Sequence, residues 1–283
     1  MFPACRFCRA GLAGGAALTF FFIEIIRHFL GLAVASGPGM DNVMYVGLSR
    51  QQTLQRELDV VANNVANVDT AGFKVESLMV QTDPQRLPAA GDGPPTVNFT
   101  LDAGVARDFS QGALKETGSP LNVAIQGEGF FRVATPAGER YTRDGRFGMD
   151  AQGQLVTASG ETVQGDGGLI TMDPQKGPPK IASDGTVSQQ GQTVGKLAVV
   201  TFSSLAALAK SGDGLYRNIS NLQPQPTDQA RIRQGMLESS NVEPITQITR
   251  LIEVTRAYDS VSQMISSTGD LSSQAVNRLG HVS

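Results

Sequence analysis

Apolar residues recur at helical spacing near the start of the chain. They are separated by steps of 4, 3, 4 and 3 positions, at Leu54, Leu58, Val61, Val65 and Val68. This spacing places them in one stripe along an amphipathic helix that packs against another helix. The pattern predicts an N-terminal helical segment, which we assign to residues 40–80.

A second apolar stripe lies near the other end of the chain. Its members are three or four positions apart, at Ile245, Ile248, Leu251, Val254, Tyr258, Val261 and Ile265. The stripe predicts a C-terminal helical segment, assigned to residues 235–283.

The sequence leaves the start of this second helix open. The run from Ser240 to Glu243 resembles a capping box, whereas Pro244 is typical of the first helical position. Farther along, Gly269 interrupts the pattern, so we expect either a break or a kink there.

Both helical segments need partners to cover their stripes. Burial of one stripe offsets only part of the conformational entropy lost when such a long helix becomes ordered. We therefore expect the terminal segments to be loosely structured in the isolated chain and to become ordered between subunits.

The pattern changes between the two ends, where short apolar runs alternate with turns. Residues 81–234 are therefore predicted to form a central antiparallel β-rich domain. The chain is thus predicted to be an α+β protein, in which N- and C-terminal amphipathic helices pair in a coiled-coil-like bundle. The expected turns lie at residues 136–138, 144–145, 150–153, 159–160 and 184–185.

Composition supports a globular chain and argues against nucleic-acid binding. The 283 residues are 40% hydrophobic, and the 32 glycines and 14 prolines fit a turn-rich middle. Net charge is only −3, and no block of Lys and Arg supplies the field that phosphate backbones attract.

The first 39 residues differ in composition from the rest and hold both cysteines, Cys5 and Cys8. Their apolar run is too short to span a membrane before Glu24 interrupts it. We interpret residues 1–39 as a leader created by a mis-assigned start codon at Met1, with translation beginning at Met40. A signal-like or anchoring segment and an integral part of the fold are the alternatives.

Candidate catalytic residues do not form a recognisable set. Histidine occurs only as His28 and His281, so a nucleophile–histidine pair cannot be assembled in the body of the chain. Glu128, Asp144 and Asp150 are carboxylates that a glycosidase could use, but the two aspartates are better explained as turn residues. We expect no enzymatic activity, cofactor, metal or small-molecule substrate.

Four sequence blocks resemble the bacterial flagellar rod and hook proteins. They are ELDVVANNVANVDTAGFK (57–74), TGSPLNVAIQGEGFFRV (117–133), YTRDGRFGMDAQGQLVTASGETVQG (141–165) and QGMLESSNVEPITQITRLIEVTRAYDSV (234–261). The opening from Met40 most resembles the proximal-rod member of the family, and the distal-rod member is the closest competitor. Asn122 departs from the family, which usually has Asp there.

The resemblance implies a structural subunit of the flagellar basal body, which spans the periplasm. Its implied partners are copies of itself, other proximal and distal rod proteins, and the flagellar type III export apparatus. The terminal helices of many subunits would pack into an inner tube with the β domain outside. The rivals from other classes are a secreted β-rich carbohydrate-active enzyme and a membrane-anchored periplasmic adaptor.

We assign the assembly interface to residues of both helical segments. Asn63, Asn64 and Asn67 lie on a face offset from the apolar stripe, where amides can fix the register between subunits or, alternatively, mark a helix end closed by Gly72. Phe73 is either an anchor in a neighbour's groove or a lid on its own helix. The full set is Leu54, Leu58, Val61, Asn63, Asn64, Val65, Asn67, Gly72, Phe73, Asn241, Ile248, Leu251, Val254, Tyr258 and Val261.

Overall fold

Two long helices enclose a β-rich region in the sequence, which confirms the predicted α+β class. The structure, a computed structural model, describes residues 38–86, 96–227 and 229–280. Helix α1 is Pro38–Ala66 and helix α2 is Pro244–Gly280. The expectations for residues 1–37, including Cys5, Cys8 and His28, and the position of His281 lie outside the described residues.

The helix ends differ in part from the predicted segments. Helix α1 ends at Ala66, and the first strand begins at Glu76, so the predicted helical segment 40–80 was too long. Helix α2 begins at Pro244, as the proline indicated, and its first turn closes with a 3.1 Å bond from the Gln247 amide to the Glu243 carbonyl. The helix continues through Gly269 without a break.

The strands between the helices are short apart from the first two. They are β1 (Glu76–Arg86), β2 (Thr96–Arg107), β3 (Leu114–Glu116), β4 (Val123–Gln126), β5 (Phe130–Thr135), β6 (Gly138–Thr142), β7 (Gly148–Met149), β8 (Leu155–Val156), β9 (Thr162–Gly165), β10 (Gly168–Leu169), β11 (Lys180–Ile181), β12 (Thr186–Gln189), β13 (Gln192–Lys196), β14 (Val199–Thr201), β15 (Leu208–Lys210), β16 (Leu215–Asn218), β17 (Gln225–Pro226), β18 (Arg231–Gln234) and β19 (Met236–Glu238).

The largest sheet runs in the order β15-β16-β6-β5-β9-β8-β7, with β10, β14 and β17 attached beside it. The predicted turns at 136–138, 150–153, 159–160 and 184–185 each connect successive strands of the fold. The pairings are antiparallel, as expected. Local turn chemistry therefore predicted this part of the fold well.

Strands from the two ends of the β region pair with one another. Strand β18 pairs with β4, and β19 pairs with β3. Strand β3 follows α1, β1 and β2 in the chain, and β19 is the last strand before α2. These pairings therefore bring the C-terminal end of α1 and the N-terminal end of α2 close together.

Strands β1 and β2 form a separate hairpin that lies along α1. The Thr53 hydroxyl donates a 3.4 Å bond to the Thr100 carbonyl, and the Ser49 hydroxyl accepts a 3.3 Å bond from the Thr100 amide. Arg56 on α1 and Asp102 on β2 add an ion pair of 3.6 Å. The hairpin is thus held to the helix by polar contacts.

The apolar core lies within the β region and has two parts. The larger part contains Val123, Ile125, Phe131, Phe147, Leu155, Val163, Ile170, Met172, Ile181, Val187, Leu197 and Ile232. The smaller part is largely aromatic and contains Phe130, Tyr141, Val200, Phe202, Leu208 and Tyr216. The two clusters therefore contain no residue of either helix.

Candidate assembly interface

Helices α1 and α2 pack against each other over the length of the predicted stripes. The Gln51 side chain donates a 3.0 Å hydrogen bond to the Tyr258 hydroxyl, and Glu57 forms an ion pair with Arg250. A Cβ placed on Gly47 would lie 2.9 Å from Cγ1 of Ile265, so the missing side chain allows close approach. The predicted pairing of the two terminal helices is confirmed.

The pairing covers the predicted stripe residues to different degrees. Leu54, Val61 and Val254 are buried, and Ile245 and Ile248 are exposed. The remaining members are partly buried: Leu58, Val65, Val68, Leu251, Tyr258, Val261 and Ile265. One partner helix therefore covers the middle of each stripe and leaves other apolar positions open.

Large apolar side chains remain exposed on both helices. Ile245 is 82% exposed and Tyr45 is 62% exposed. We call the whole set the uncovered helix surface: Val43, Tyr45, Leu48, Ile245, Ile248, Ile252, Met264, Leu271 and Val276. Exposed apolar positions that follow two adjacent helices mark a surface suited to contacts with other chains.

Asn64 does not face outwards as the register hypothesis expected. It is only 1% exposed, and its amide donates to the Glu76 carbonyl at 2.7 Å and to Oε1 of Gln247 at 3.1 Å. Its carbonyl oxygen accepts the Glu76 amide at 2.9 Å. The expectation that this amide bonds to a neighbouring subunit is corrected: Asn64 joins α1, β1 and α2 within one chain.

The other two asparagines remain accessible. The side-chain oxygen of Asn63 accepts a 3.0 Å bond from the Lys210 ammonium, and the residue is exposed. The Asn67 amide donates to the Asn63 carbonyl at 2.8 Å, and its side-chain oxygen accepts from Thr70 at 3.2 Å. These contacts just beyond Ala66 fit the helix-end interpretation of Asn67.

Gly72 and Phe73 are both buried within the chain. Gly72 has a φ of 68°, and its amide donates a 2.8 Å bond to the Glu238 carbonyl. The ammonium of Lys210 lies 4.6 Å from the centroid of the Phe73 ring. Phe73 is thus covered by its own chain, which agrees with the lid interpretation rather than with an exposed anchor.

Asn241 connects the root of α2 to the segment after β2. Its side-chain oxygen accepts the Val75 amide at 2.8 Å, and its amide donates to the Asp108 carbonyl at 2.9 Å. The Ser240 hydroxyl accepts from the Val242 amide at 3.2 Å. The capping-box interpretation of residues 240–243 is therefore wrong. The Asn241 side chain bonds to the segments next to β1 and β2, and α2 begins only at Pro244.

Three buried charged side chains, which sequence reasoning missed, meet beside Gly72. We call Lys74, Arg143 and Glu238 the junction cluster. The Lys74 ammonium bonds to Oε1 of Glu238 at 2.5 Å and to the Ser110 carbonyl at 2.6 Å. Nε of Arg143 lies 3.5 Å from Oε2 of Glu238, and its Nη2 donates to the Gly127 carbonyl at 2.8 Å.

Burial governs the electrostatics of the junction cluster. The side chains of Lys74 and Glu238 have no exposed area, and that of Arg143 has 3%. Burial lowers the pKa of the Lys74 ammonium below its usual value, and the Glu238 carboxylate opposes this shift. Burial likewise lowers the pKa of the Arg143 guanidinium. One carboxylate thus faces two cations, and Nε and Nη1 of Arg143 and Oε2 of Glu238 have no hydrogen-bond partner within the described residues.

The signal for this cluster was present but not decisive in the sequence. Lys74, Arg143 and Glu238 each lie in a different one of the blocks that carry the family resemblance. Nothing in their local spacing indicates that they meet, since the ion pair between Lys74 and Glu238 joins positions 164 apart. Contacts between distant segments bring them together, among them the 2.8 Å bond from the Gly72 amide to the Glu238 carbonyl and the packing of Gly72 on the Arg143 backbone.

The described residues contain no group of three or more His, Cys, Asp and Glu side chains arranged to hold a metal ion. Asp144 binds Arg146 at 2.7 Å, and Asp150 accepts the amides of Gln152 and Gln154 in a turn. Neither helix of the described part is long and apolar enough to cross a membrane.

Three stretches of the chain match protein families. Residues 44–74 match the flagella basal body rod protein family, and residues 124–189 match the flagellar hook protein FlgE/F/G D1 domain. Residues 233–279 match the flagellar basal body rod FlgEFG protein C-terminal family. The chain is also 53% identical to the flagellar basal-body rod protein FlgF of Caulobacter vibrioides, over 86% of this chain and 100% of that protein.

The chain belongs to the flagellar basal-body rod protein family. It is a structural subunit of the rod, located in the flagellar basal body, and the resemblance found in the sequence is confirmed. FlgF of Mesorhizobium japonicum is 36% identical over 85% of this chain and 99% of that protein. FlgG of Caulobacter vibrioides is 34% identical over 82% of this chain and 96% of that protein. Within one organism, the rod protein FlgF is thus far more similar to this chain than FlgG is.

Within this rod family the matched stretches coincide with the structural parts. The match at 44–74 covers most of α1 and ends at Lys74. The match at 233–279 begins just before β19 and covers nearly all of α2. The chain therefore has the arrangement expected of a rod subunit, with two terminal helices and a β domain between them.

Proposed function

We propose that the chain is a non-catalytic subunit of the proximal rod, incorporated through contacts of the uncovered helix surface with copies of itself and with other rod proteins. The observation that carries the proposal is the set of exposed apolar side chains that α1 and α2 leave open after pairing. In water such a surface is unfavourable, and burial against further helices removes the penalty.

The position in the proximal rod is supported by the similarity to FlgF, which exceeds the similarity to FlgG. The proposal also includes passage through the flagellar type III export apparatus before assembly. The β domain contains its own core, so it can lie outside the helices in an assembled rod. Its carboxylates Asp144 and Asp150 are occupied by turn contacts, which supports a structural role over a glycosidase.

The assembly interface can be tested with one substitution on α2 and a matched control. Ile248→Glu introduces a charge into the uncovered helix surface, whereas Leu169→Glu does so at an apolar residue of β10 that is also exposed, at 57%. Each variant is expressed in cells that lack the native copy. The amount recovered in purified basal bodies is compared with the total amount of soluble protein.

We expect Ile248→Glu to reduce incorporation at least tenfold, since a charge in a desolvated contact is strongly unfavourable. Leu169→Glu is expected to incorporate like the native chain. Both variants are expected to keep the native melting temperature of the β domain. Equal incorporation of the two variants would contradict the proposed interface, and absence of the native chain from basal bodies would contradict the proposed position.

A further inference from the structure

The junction cluster connects the three structural parts of the chain at a single buried point. Lys74 follows α1, Glu238 lies in β19 just before α2, and Arg143 belongs to the β domain after β6. All three side chains are buried, and the single carboxylate of Glu238 contacts both cations. No other group of ionised side chains in the described residues is buried to this extent.

We propose that the junction cluster is a positioning network that fixes the direction in which the helix pair leaves the β domain, and that this direction controls incorporation into the rod. The proposal rests on the proposed function. It assigns a role in assembly to three residues that do not lie on the uncovered helix surface.

The contacts around the cluster are directional. Oε1 of Glu238 accepts from the Lys74 ammonium and, at 3.0 Å, from the Gly112 amide. The Glu238 carbonyl accepts the Gly72 amide at 2.8 Å, so the same residue holds the chain on both sides of Phe73. Hydrogen bonds to ionised groups restrict angle as well as distance, whereas apolar contacts allow neighbouring surfaces to slide.

A stabilising role alone does not explain the use of charge at this point. Well-packed apolar side chains of similar volume stabilise a buried site as well as, or better than, an ionic group. What the ionic group adds is a defined geometry, because a displaced partner leaves a buried charge without compensation. The junction cluster lies between α1, α2 and the β domain, so its geometry affects the orientation of the helices.

Neighbouring contacts reinforce this geometry. A Cβ on Gly72 would lie 2.6 Å from the backbone carbon of Arg143, so the turn after α1 rests directly on the backbone of the β domain. Asn241 bonds to Val75 and to the Asp108 carbonyl on the other side of the junction. The junction cluster is therefore the ionic centre of a tightly packed contact.

The experiment measures the direction of the helix pair relative to the β domain separately from folding. Spin labels are placed at two exposed positions, Arg256→Cys on α2 and Gln192→Cys on β13, in a chain with Cys5→Ser and Cys8→Ser. Double electron–electron resonance then gives the distribution of distances between helix and β domain in the isolated protein. Incorporation into basal bodies is measured for the same variants without labels.

Two variants disrupt the cluster in different ways. Glu238→Gln removes the carboxylate charge with little change in shape. The triple variant Lys74→Met, Arg143→Met and Glu238→Leu removes the three charges together, so no buried charge remains uncompensated. Glu139→Gln is the control, because it breaks the partly exposed ion pair with Arg132 inside the β domain.

We expect the native chain and the Glu139→Gln control to give one narrow distribution of distances. The triple variant is expected to keep the native helix content and β-domain melting, to broaden the distribution at least twofold, and to incorporate at least tenfold less well. Glu238→Gln, if it folds, is expected to show the same two losses.

Two outcomes would overturn the proposal. The first is a triple variant with a narrow distribution and normal incorporation, which would show that apolar packing suffices. The second is failure of both variants to fold, which would show that the cluster serves folding rather than direction. Because the distances are measured on the isolated chain, they test the network even if the proposed position in the rod proves wrong.

Discussion

Gln51 on α1 donates a 3.0 Å hydrogen bond to the hydroxyl of Tyr258 on α2, joining positions 207 apart in the sequence. The bond is partly buried, and both residues follow the stripes that pair the helices. It joins the two ends of the chain within one subunit. The uncovered helix surface lies on the remaining faces of the same helices.

The first prediction concerns this bond. Tyr258→Phe removes the acceptor and keeps the ring, so we expect the free energy of unfolding of the helix pair to fall by about 0.5–1.5 kcal/mol. Urea unfolding followed by far-ultraviolet circular dichroism measures the change. Arg250→Gln breaks the more exposed ion pair with Glu57. It should lower the free energy of unfolding by only about 0–1 kcal/mol, and by less in high salt. A larger loss for Arg250→Gln than for Tyr258→Phe would contradict this ranking.

The second prediction compares two neighbouring asparagines. Asn64→Ala leaves the Glu76 amide and carbonyl without their side-chain partner in a buried site, so we expect a loss of about 1–3 kcal/mol in the free energy of unfolding. Asn63→Ala changes an exposed residue with one bond to Lys210 and should stay within about 0.5 kcal/mol of the native value. Equal losses at the two positions, measured by urea unfolding, would show that Asn64 is not a buried connector.

The third prediction separates two reasons for glycine at position 72. Gly72 and Gly118 have almost the same φ, 68° and 70°, but only Gly72 lies against neighbouring backbone. Alanine at either position must adopt the left-handed conformation, which lowers the free energy of unfolding by about 1–2 kcal/mol. Gly72→Ala should cost about 1–3 kcal/mol more than Gly118→Ala, since a Cβ would lie 2.6 Å from the Arg143 backbone.

Thermal unfolding of the two alanine variants measures this difference. Because the two sites have almost the same positive φ, the difference between them chiefly reports the close contact at Gly72. If both variants lose the same stability, the contact between Gly72 and Arg143 does not constrain the chain.

The fourth prediction concerns alkaline pH. Burial raises the pKa of the Tyr216 hydroxyl above its usual value, and burial also raises that of Tyr141. Above about pH 10 the unfolded chain loses these protons while the folded chain keeps them. Unfolding then releases protons, so the stability present at lower pH is lost as the pH rises, by up to about 1.4 kcal/mol per pH unit for each group.

Denaturation at a series of pH values checks this effect. Tyr216→Phe should make the decrease in stability above about pH 10 less steep, because it removes one buried hydroxyl that stays neutral in the folded chain. Tyr45→Phe serves as the control, since Tyr45 is an exposed residue of α1. A decrease of the same steepness in the native chain and in Tyr216→Phe would contradict the assignment.

Local patterns predicted the elements of the fold, because their causes are local. The stripe from Leu54 to Val68 and the stripe from Ile245 to Ile265 gave the two helices, and glycine turns gave the hairpins of the β domain. Pro244 marked the start of α2 correctly. The helical segment assigned to residues 40–80 extends beyond the end of α1 at Ala66, and the helix-end interpretation of Asn67 and Gly72 indicated the earlier stop.

Contacts between distant segments were not predictable in the same way. Asn64 was assigned to an interface between subunits because it lies on a face offset from the apolar stripe, yet β1 and α2 fold over it. Lys74, Arg143 and Glu238 carry no apolar periodicity that would mark them as buried. Their burial follows from the pairing of strands at the two ends of the β region, which a single sequence does not reveal.

The distance along the chain between Lys74 and Glu238 also sets a time order. A polypeptide that emerges from a narrow passage with its N-terminus leading presents the lysine long before the carboxylate, 164 positions later, is free. Until then the two long helices cannot be held side by side by this contact. For a chain exported in that direction, as proposed above, this ionic contact can form only after Glu238 has emerged.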